Sequence, residues 1–191
     1  MGKLITEVAR FVVFIALITA TFTYESAGRV HKRHPAWAKT VGCGKERKTV
    51  MQFYFHDVIS GDNVTAVQVV PAPGSKHAFF GFGFIAMVDD PLTVGPHPNS
   101  KLVGRAQGLY GSCSREDATL IMDLTYFFQD GRYNGSSLSI LGRNSVLKPV
   151  REFPVIGGTG LFRMAVGYAL ARTYSITSRA AIVGYNITVY H

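Results

Sequence analysis

Met51-Gln-Phe-Tyr-Phe-His-Asp57 runs into Ser60-Gly-Asp62, and Val64-Thr-Ala-Val-Gln-Val-Val70 follows it and stops at Pro71-Ala-Pro-Gly74. This stretch decides the fold class. Aromatic and β-branched residues fit a pleated, half-buried surface, whereas Gly, Pro and Asp clusters end a strand and turn the chain. The same grammar repeats downstream. Strands are predicted over 79–88, 101–113, 118–129, 136–141, 150–156, 161–175 and 181–190, with Gly, Pro, Asn or Asp between them. No segment holds helical spacing with caps for ten residues. Strands at this spacing predict an all-β sandwich or barrel, and a count near eight or nine favours a closed barrel, which leaves no exposed edge and can hold one small ligand. Gly81, Gly83, Gly104, Gly108 and Gly167 are expected to relieve crowding or bend strands at corners. Leu120-Ile-Met-Asp-Leu-Thr-Tyr-Phe-Phe128 alternates imperfectly, as a strand covered on both faces would.

Ahead of the strands the chain changes character. Lys3 and Arg10 precede the twelve-residue apolar run Phe11–Phe22, which is shorter than the roughly 20 residues needed to span a bilayer. It reads as a secretory signal peptide over residues 1–27, with Ala27 a plausible last residue. Three sequons, at Asn63, Asn134 and Asn186, fit an exported glycoprotein. The 191 residues carry 20 Lys and Arg against 12 Asp and Glu, a net charge of +8 that first points toward nucleic acid. Residues 29–48 hold seven basic residues against Glu46 alone, a net +6, so the body over 49–191 keeps only +2. The basicity therefore sits on an arm, 28–48, with anionic cell-wall polysaccharide as its expected counter-surface. No basic stripe with interleaved aromatics indicates nucleic acid.

Few motifs carry chemistry. Gly81-Phe-Gly83-Phe-Ile-Ala86 has dinucleotide-binding spacing without the helix whose N-terminus would meet a pyrophosphate, so no cofactor is read from it. Gly157-Gly-Thr-Gly160 reads as a tight turn between strands. The six histidines, His31, His34, His56, His77, His97 and His191, show no metal-ligand spacing. Cys43 and Cys113 could pair in an oxidising compartment, but spacing does not decide it. No Gly-x-Ser-x-Gly elbow is present. His56-Asp57 remains. By alternation one of the two faces inward, and a carboxylate against an apolar interior has a raised pKa, useful for moving a proton on a phenol. The competing reading makes Asp57 the start of the Ser60-Gly61 turn, and solvated loop charge is the commoner fate of Arg143 and Arg151.

Taken together, Phe53-Tyr-Phe-His-Asp57, Val88-Asp-Asp-Pro91, Gly104-Arg-Ala-Gln-Gly-Leu-Tyr110, Tyr133-Asn-Gly-Ser-Ser137, Leu141-Gly-Arg-Asn144, Val150-Arg-Glu152, Gly157-Gly-Thr-Gly160 and Phe162-Arg-Met-Ala165 resemble the plant dirigent family, in family order over roughly 50–190. The resemblance implies an eight-stranded antiparallel barrel, a homotrimer, secreted to the apoplast and without an oxidising centre of its own. An external oxidase supplies phenoxy radicals that the barrel orients. Related members act on quinone methides, and pterocarpan synthases expel water from an isoflavanol and close a ring. The implied pocket residues are Asp57 and Arg151 as catalytic groups, with Tyr110, Asn144, Thr173 and His56 against the substrate. Gly142-Arg-Asn144 stands where lignan-forming members read Gly-Ala-Asp, the chain ends Thr188-Val-Tyr-His191 without their terminal Cys, and Ser112 replaces a frequent second pocket Tyr. These departures place the chain nearer the pterocarpan-synthase branch than the pinoresinol-forming one. A non-catalytic barrel that binds apolar phenols is the third reading.

Overall fold

A computed structural model describes residues 46–74 and 81–191. The predicted leader, nearly all of the basic arm, His31, His34, Cys43 and His77 lie outside them. Nine strands follow in chain order: β1 Lys48–Val58, β2 Ala66–Val70, β3 Ile85–Thr93, β4 Leu102–Ser112, β5 Thr119–Phe128, β6 Ser137–Ser145, β7 Arg151–Thr159, β8 Val166–Ile176 and β9 Ala180–Tyr190. All pair antiparallel, and β1 meets both β9 and β3, so eight strands close into a barrel with the short β2 laid on β3. The closing contact is slight. β1 and β3 share only Tyr54↔Thr93 and Phe55↔Leu92, whereas β1 and β9 pair along their whole length.

Alternation fills the interior. Phe53 and Phe55 of β1, Met122, Leu124, Tyr126 and Phe128 of β5, and Val183, Tyr185, Ile187 and Val189 of β9 are buried. Their neighbours Ile121 and Asp123 face out, so β5 is a regular two-faced strand whose outer face happens to carry apolar residues. Aromatic rings dominate the core, with Phe53 edge-on to Tyr126 at 5.1 Å and Tyr126 edge-on to Tyr185 at 5.5 Å. Such pairs add about 0.5–1.5 kcal/mol each beyond the area they bury. One end of the barrel is plugged. The 3-10 turn Gly160–Phe162 drives the fully buried Phe162 under it, stacked on Tyr133 at 5.3 Å and edge-on to His191 at 5.1 Å.

Four predicted boundaries move, each for a physical reason. β3 does not end at Val88 but runs through Asp89-Asp90-Pro91 to Thr93. The Asp89 N–H bonds the Thr65 carbonyl, so by alternation Pro91 also faces that side, where the wall is parting and no N–H is required. β6 continues past Gly142 to Ser145. β7 extends to Thr159, so Gly157-Gly-Thr-Gly160 is strand that turns only at Gly160, whose φ of 62° starts the plug. The residues before Val166, predicted as strand, form that plug instead.

Asn63 and Asn134 lie in exposed turns and Asn186 on the outer face of β9. Gly108 fulfils its expected part. Its φ is +147°, and an added Cβ would lie 2.1 Å from the Asp123 carbonyl oxygen across the β4–β5 ladder. Gly108→Ala is therefore expected to cost roughly 2–4 kcal/mol through combined overpacking and backbone strain. Thermal unfolding followed by circular dichroism checks this; an unchanged Tm contradicts it.

Candidate functional site

The unplugged end of the barrel opens into a cavity of about 100 Å³ lined by Phe55, Asp57, Tyr110, Leu120, Met122, Asn144, Arg151, Thr173, Ala181, Val183 and Tyr185, among others. Most of that surface is apolar. Asp57 and Tyr110 of β1 and β4 form one polar set, Asn144 and Arg151 of β6 and β7 another, and Thr173 of β8 and Tyr185 of β9 add hydroxyls.

Asp57 follows Phe53 and Phe55 on the inward face of β1. The Tyr110 hydroxyl donates to its Oδ2 at 3.0 Å, while Oδ1 is buried and has no hydrogen-bond partner among the described residues. Burial lifts the Asp57 carboxyl to about 6, against the opposing pull of the Tyr110 hydrogen bond. Burial and the adjacent Asp57 charge in turn push the Tyr110 phenol far above its ordinary range, so it stays a donor. The turn reading of Asp57 is thus replaced by an inward one.

Arg151 opens β7 and is 5% exposed. Its Nε donates to Asn144 Oδ1 at 3.2 Å and its Nη1 to the Lys148 carbonyl at 3.3 Å, and burial draws its pKa down. Among the described ion pairs none includes Arg151. Asn144 spends its amide on Met122 Sδ at 3.6 Å. The β6–β7 ladder ends at Ile140↔Val155, so this side-chain bond joins the two strands beyond their last backbone pair. Arg143, by contrast, points out and pairs with Asp117 at 3.0 Å.

Thr173 lines the cavity from β8 with its side exposed, at the rim. His56 does not join the cavity. It faces the other side of β1, is buried there, and bonds Thr93 Oγ1 through Nε2 at 2.6 Å. Asp57, Tyr110, Asn144, Arg151 and Thr173 are therefore brought together, and His56 is set apart. Two groups were missed from sequence. Tyr185, wholly buried with its phenol lifted to about 12 by burial, lines the same cavity. Asp90 was quoted only as part of a motif, yet it is completely buried on the inward face of β3. The inward phase of β9 could have flagged Tyr185, but the predicted end of β3 at Val88 hid Asp90.

The dirigent-like protein family matches residues 48–190. The chain belongs to the dirigent family. It is 46% identical to dirigent protein 23 of Arabidopsis thaliana over 187 residues, covering 96% of this chain and 97% of that one. Pterocarpan synthase 1 of Glycyrrhiza echinata is 44% identical over 180 residues, covering 93% and 90% of the two chains. The solved structure of the pterocarpan synthase dirigent protein GePTS1 superposes with a TM-score of 0.74 at 47% identity, over 79% of this chain and 88% of its own. The resemblance drawn from ordered motifs and the barrel expected from it are both borne out.

Because the Tyr110 bond favours the charged form of Asp57, Tyr110→Phe is expected to raise the Asp57 carboxyl by about one pH unit, on the scale of one lost hydrogen bond. Carbon-13 NMR titration of labelled aspartate reads this shift; a downward or absent shift contradicts it.

Proposed function

We propose that this dirigent barrel holds a reactive phenolic intermediate, a phenoxy radical or quinone methide, and fixes the face on which coupling or ring closure occurs. The observation that carries the reading is the placement of Asp57 in an aromatic cavity opposite a buried Arg151 that has no carboxylate partner among the described residues. An apolar chamber holds the flat ring, and one polar group at each end gives it a direction. Asp57, raised toward neutrality, donates a proton to a leaving hydroxyl or takes one from a phenol. Arg151, Asn144 and Tyr110 position phenol oxygens, and Thr173 meets the substrate at the rim. His56 supports the wall behind Asp57 instead of touching substrate.

Asn144 favours the second reading, an oxidant-free lyase of pterocarpan-synthase type. A neutral amide beside Arg151 leaves the guanidinium charge free for the oxygen anion that develops as a hydroxyl leaves or a phenol attacks. The relatives named pterocarpan synthases support the same choice.

The biological setting belongs to the same proposal. The leader and the three sequons support secretion to the apoplast as a glycoprotein, and the basic arm supports retention on anionic wall polysaccharide. Exposed apolar side chains on neighbouring outer faces, Ile121, Leu141, Ile156 and Val166, support self-association as a homotrimer. The radical-coupling mode requires an external oxidase as partner.

Chiral chromatography of products, with coniferyl alcohol plus an oxidase and with isoflavanols alone, tests the function. Enantiomeric excess in either arm is expected. Oxidant-independent turnover selects the lyase, strict oxidant dependence selects radical steering, and racemic products with no isoflavanol turnover overturn both. Asp57→Asn is expected to abolish the selectivity. Asn144→Asp, which neutralises Arg151, is expected to lower kcat about ten- to hundredfold in the lyase mode.

A further inference from the structure

Asp57 has a neighbour that the reading above leaves unused. The β1–β3 register, Tyr54↔Thr93 then Phe55↔Leu92, would next place His56 opposite Pro91 and Asp57 opposite Asp90 if the ladder continued. It does not continue. Thr65 enters the gap instead, its N–H on the Val58 carbonyl and its carbonyl on the Asp89 N–H. The Thr65 hydroxyl accepts from the Val58 N–H at 2.9 Å and shares a short hydrogen bond with Asp90 Oδ1. Two inward-facing carboxyls are left at the parting of the strands. Asp57 Oδ1 and Asp90 Oδ2 are both buried, and neither has a hydrogen-bond partner among the described residues. Two carboxylates in this arrangement repel, and two carboxyls sharing a proton do not. A second cavity of about 220 Å³, lined by His56, Asp57, Asn63, Thr65 and Pro98 among others, reaches this same seam from outside the barrel.

We propose that Asp57 and Asp90 work as one acid unit that holds a single proton at neutral pH, with Asp90 the positioning residue that sets the charge on Asp57 and renews its proton. This deepens the proposed function and rests on it for the chemical step. The single proton rests on Asp90 Oδ2 and passes to Asp57 Oδ1, and in that step Asp57 gives it to the departing hydroxyl oxygen as the carbon–oxygen bond breaks and water leaves. When the phenol oxygen closes on the same carbon, its proton returns to the pair. No net charge, oxidant or reductant is required.

The surroundings agree. Burial first, then the charge of Asp57, lifts Asp90 to about 9, well above Asp57. The other groups facing the pair are few. Tyr110 of β4 donates to Asp57, Tyr185 comes from β9, the strand paired with β1, Arg151 lines the cavity from β7, and Thr65 holds Asp90. Asp89 faces outward and is bound to Arg105 and Gln107, and His56 faces Thr93. An asparagine at 90 would satisfy Thr65 and offer an amide to Asp57 without any ionisation. Retaining an acid there costs stability: a carboxyl raised in the folded state favours folding fully below its unfolded pKa of about 4, and that favour is lost as pH rises toward the folded value.

Carboxyl titration by carbon-13 NMR on the whole protein tests the unit without any substrate. Two coupled midpoints are expected, and Asp57→Asn should lower the Asp90 midpoint by at least about one pH unit by removing its negative neighbour. An Asp90 that titrates in the ordinary carboxylate range, or that does not move in Asp57→Asn, overturns the proposal. Asp90→Asn should fold, gain roughly 5 °C or more in Tm at pH 8, and flatten the decline of Tm between pH 5 and 9. With an active substrate in hand, Asp90→Asn should lower kcat about tenfold with KM unchanged and alter the pH profile; full kcat with an unaltered profile overturns the renewal role. Absence of turnover in the wild type with the coupled titration intact counts against the proposed reaction and leaves the acid unit standing.

Discussion

The barrel depends on how it is closed. Seven of its eight seams are ladders of four or more register pairs, and the eighth, between β1 and β3, has two. An open edge of that kind exposes backbone donors and acceptors to pairing with other chains, and burying them unpaired costs about 1–3 kcal/mol each. Thr65 settles the account with three groups at once. Its N–H and carbonyl complete the backbone bonding to Val58 and Asp89, and its hydroxyl meets the Val58 N–H and Asp90. Pro91 needs no partner there because it brings no N–H. A seam closed by one inserted residue is wider than a ladder, and the two strand ends that it separates keep their inward side chains.

The inward carboxyls and the guanidinium cluster where the ladders end. Asp57 and Asp90 flank the β1–β3 seam, and Arg151 and Asn144 lie beyond Ile140↔Val155, the last backbone pair of β6 and β7, near Pro154. Elsewhere the inner wall is mostly rings and aliphatic chains, with the hydroxyls of Tyr110, Thr173 and Tyr185 among them. Strands held in register pack inward residues tightly, which suits Phe53, Tyr126 and Ile140. Where they part there is room for a carboxyl or a guanidinium and for side-chain hydrogen bonds to replace the missing backbone ones. The carboxyl and the guanidinium do not pair with each other, so each field is directed into the cavity. Burying two such groups apart is costly, and the aromatic core with its plug at Phe162 must offset that cost.

Local pattern alone made much of this legible. Alternation in 51–57 turned one of His56 and Asp57 inward without choosing between them, and turn residues marked nine strands. The ordered motifs carried the family and, through it, the barrel. What escaped notice was non-local. That β3 survives Asp89-Asp90-Pro91 follows from Pro91 lying on the seam side, which no window of sequence contains. Asn144 became an inward residue only once β6 ran through Gly142, whose missing side chain leaves Phe153 and Pro154 their space. Thr65 reads as one more strand residue until closure gives it two neighbours from different strands. The inward and outward assignment of the His56-Asp57 pair was open from sequence and is decided by Thr93, the hydroxyl that takes the histidine.

Stereochemical control asks little energy of such a chamber. A tenfold preference for one face of a flat intermediate needs about 1.4 kcal/mol between the two competing transition states, and a hundredfold preference about twice that. One charge-assisted hydrogen bond made in one orientation and lost in the other contributes about 1.5–3 kcal/mol. A barrel sealed at one end by Phe162 and walled by rings already restricts the ligand to few poses. Two poles of opposite character, an acid on the β1–β3 side and a cation on the β6–β7 side, then distinguish head from tail. Sparse polarity in an apolar cavity is thus what selectivity requires, and the two gaps in the hydrogen-bonded wall supply it.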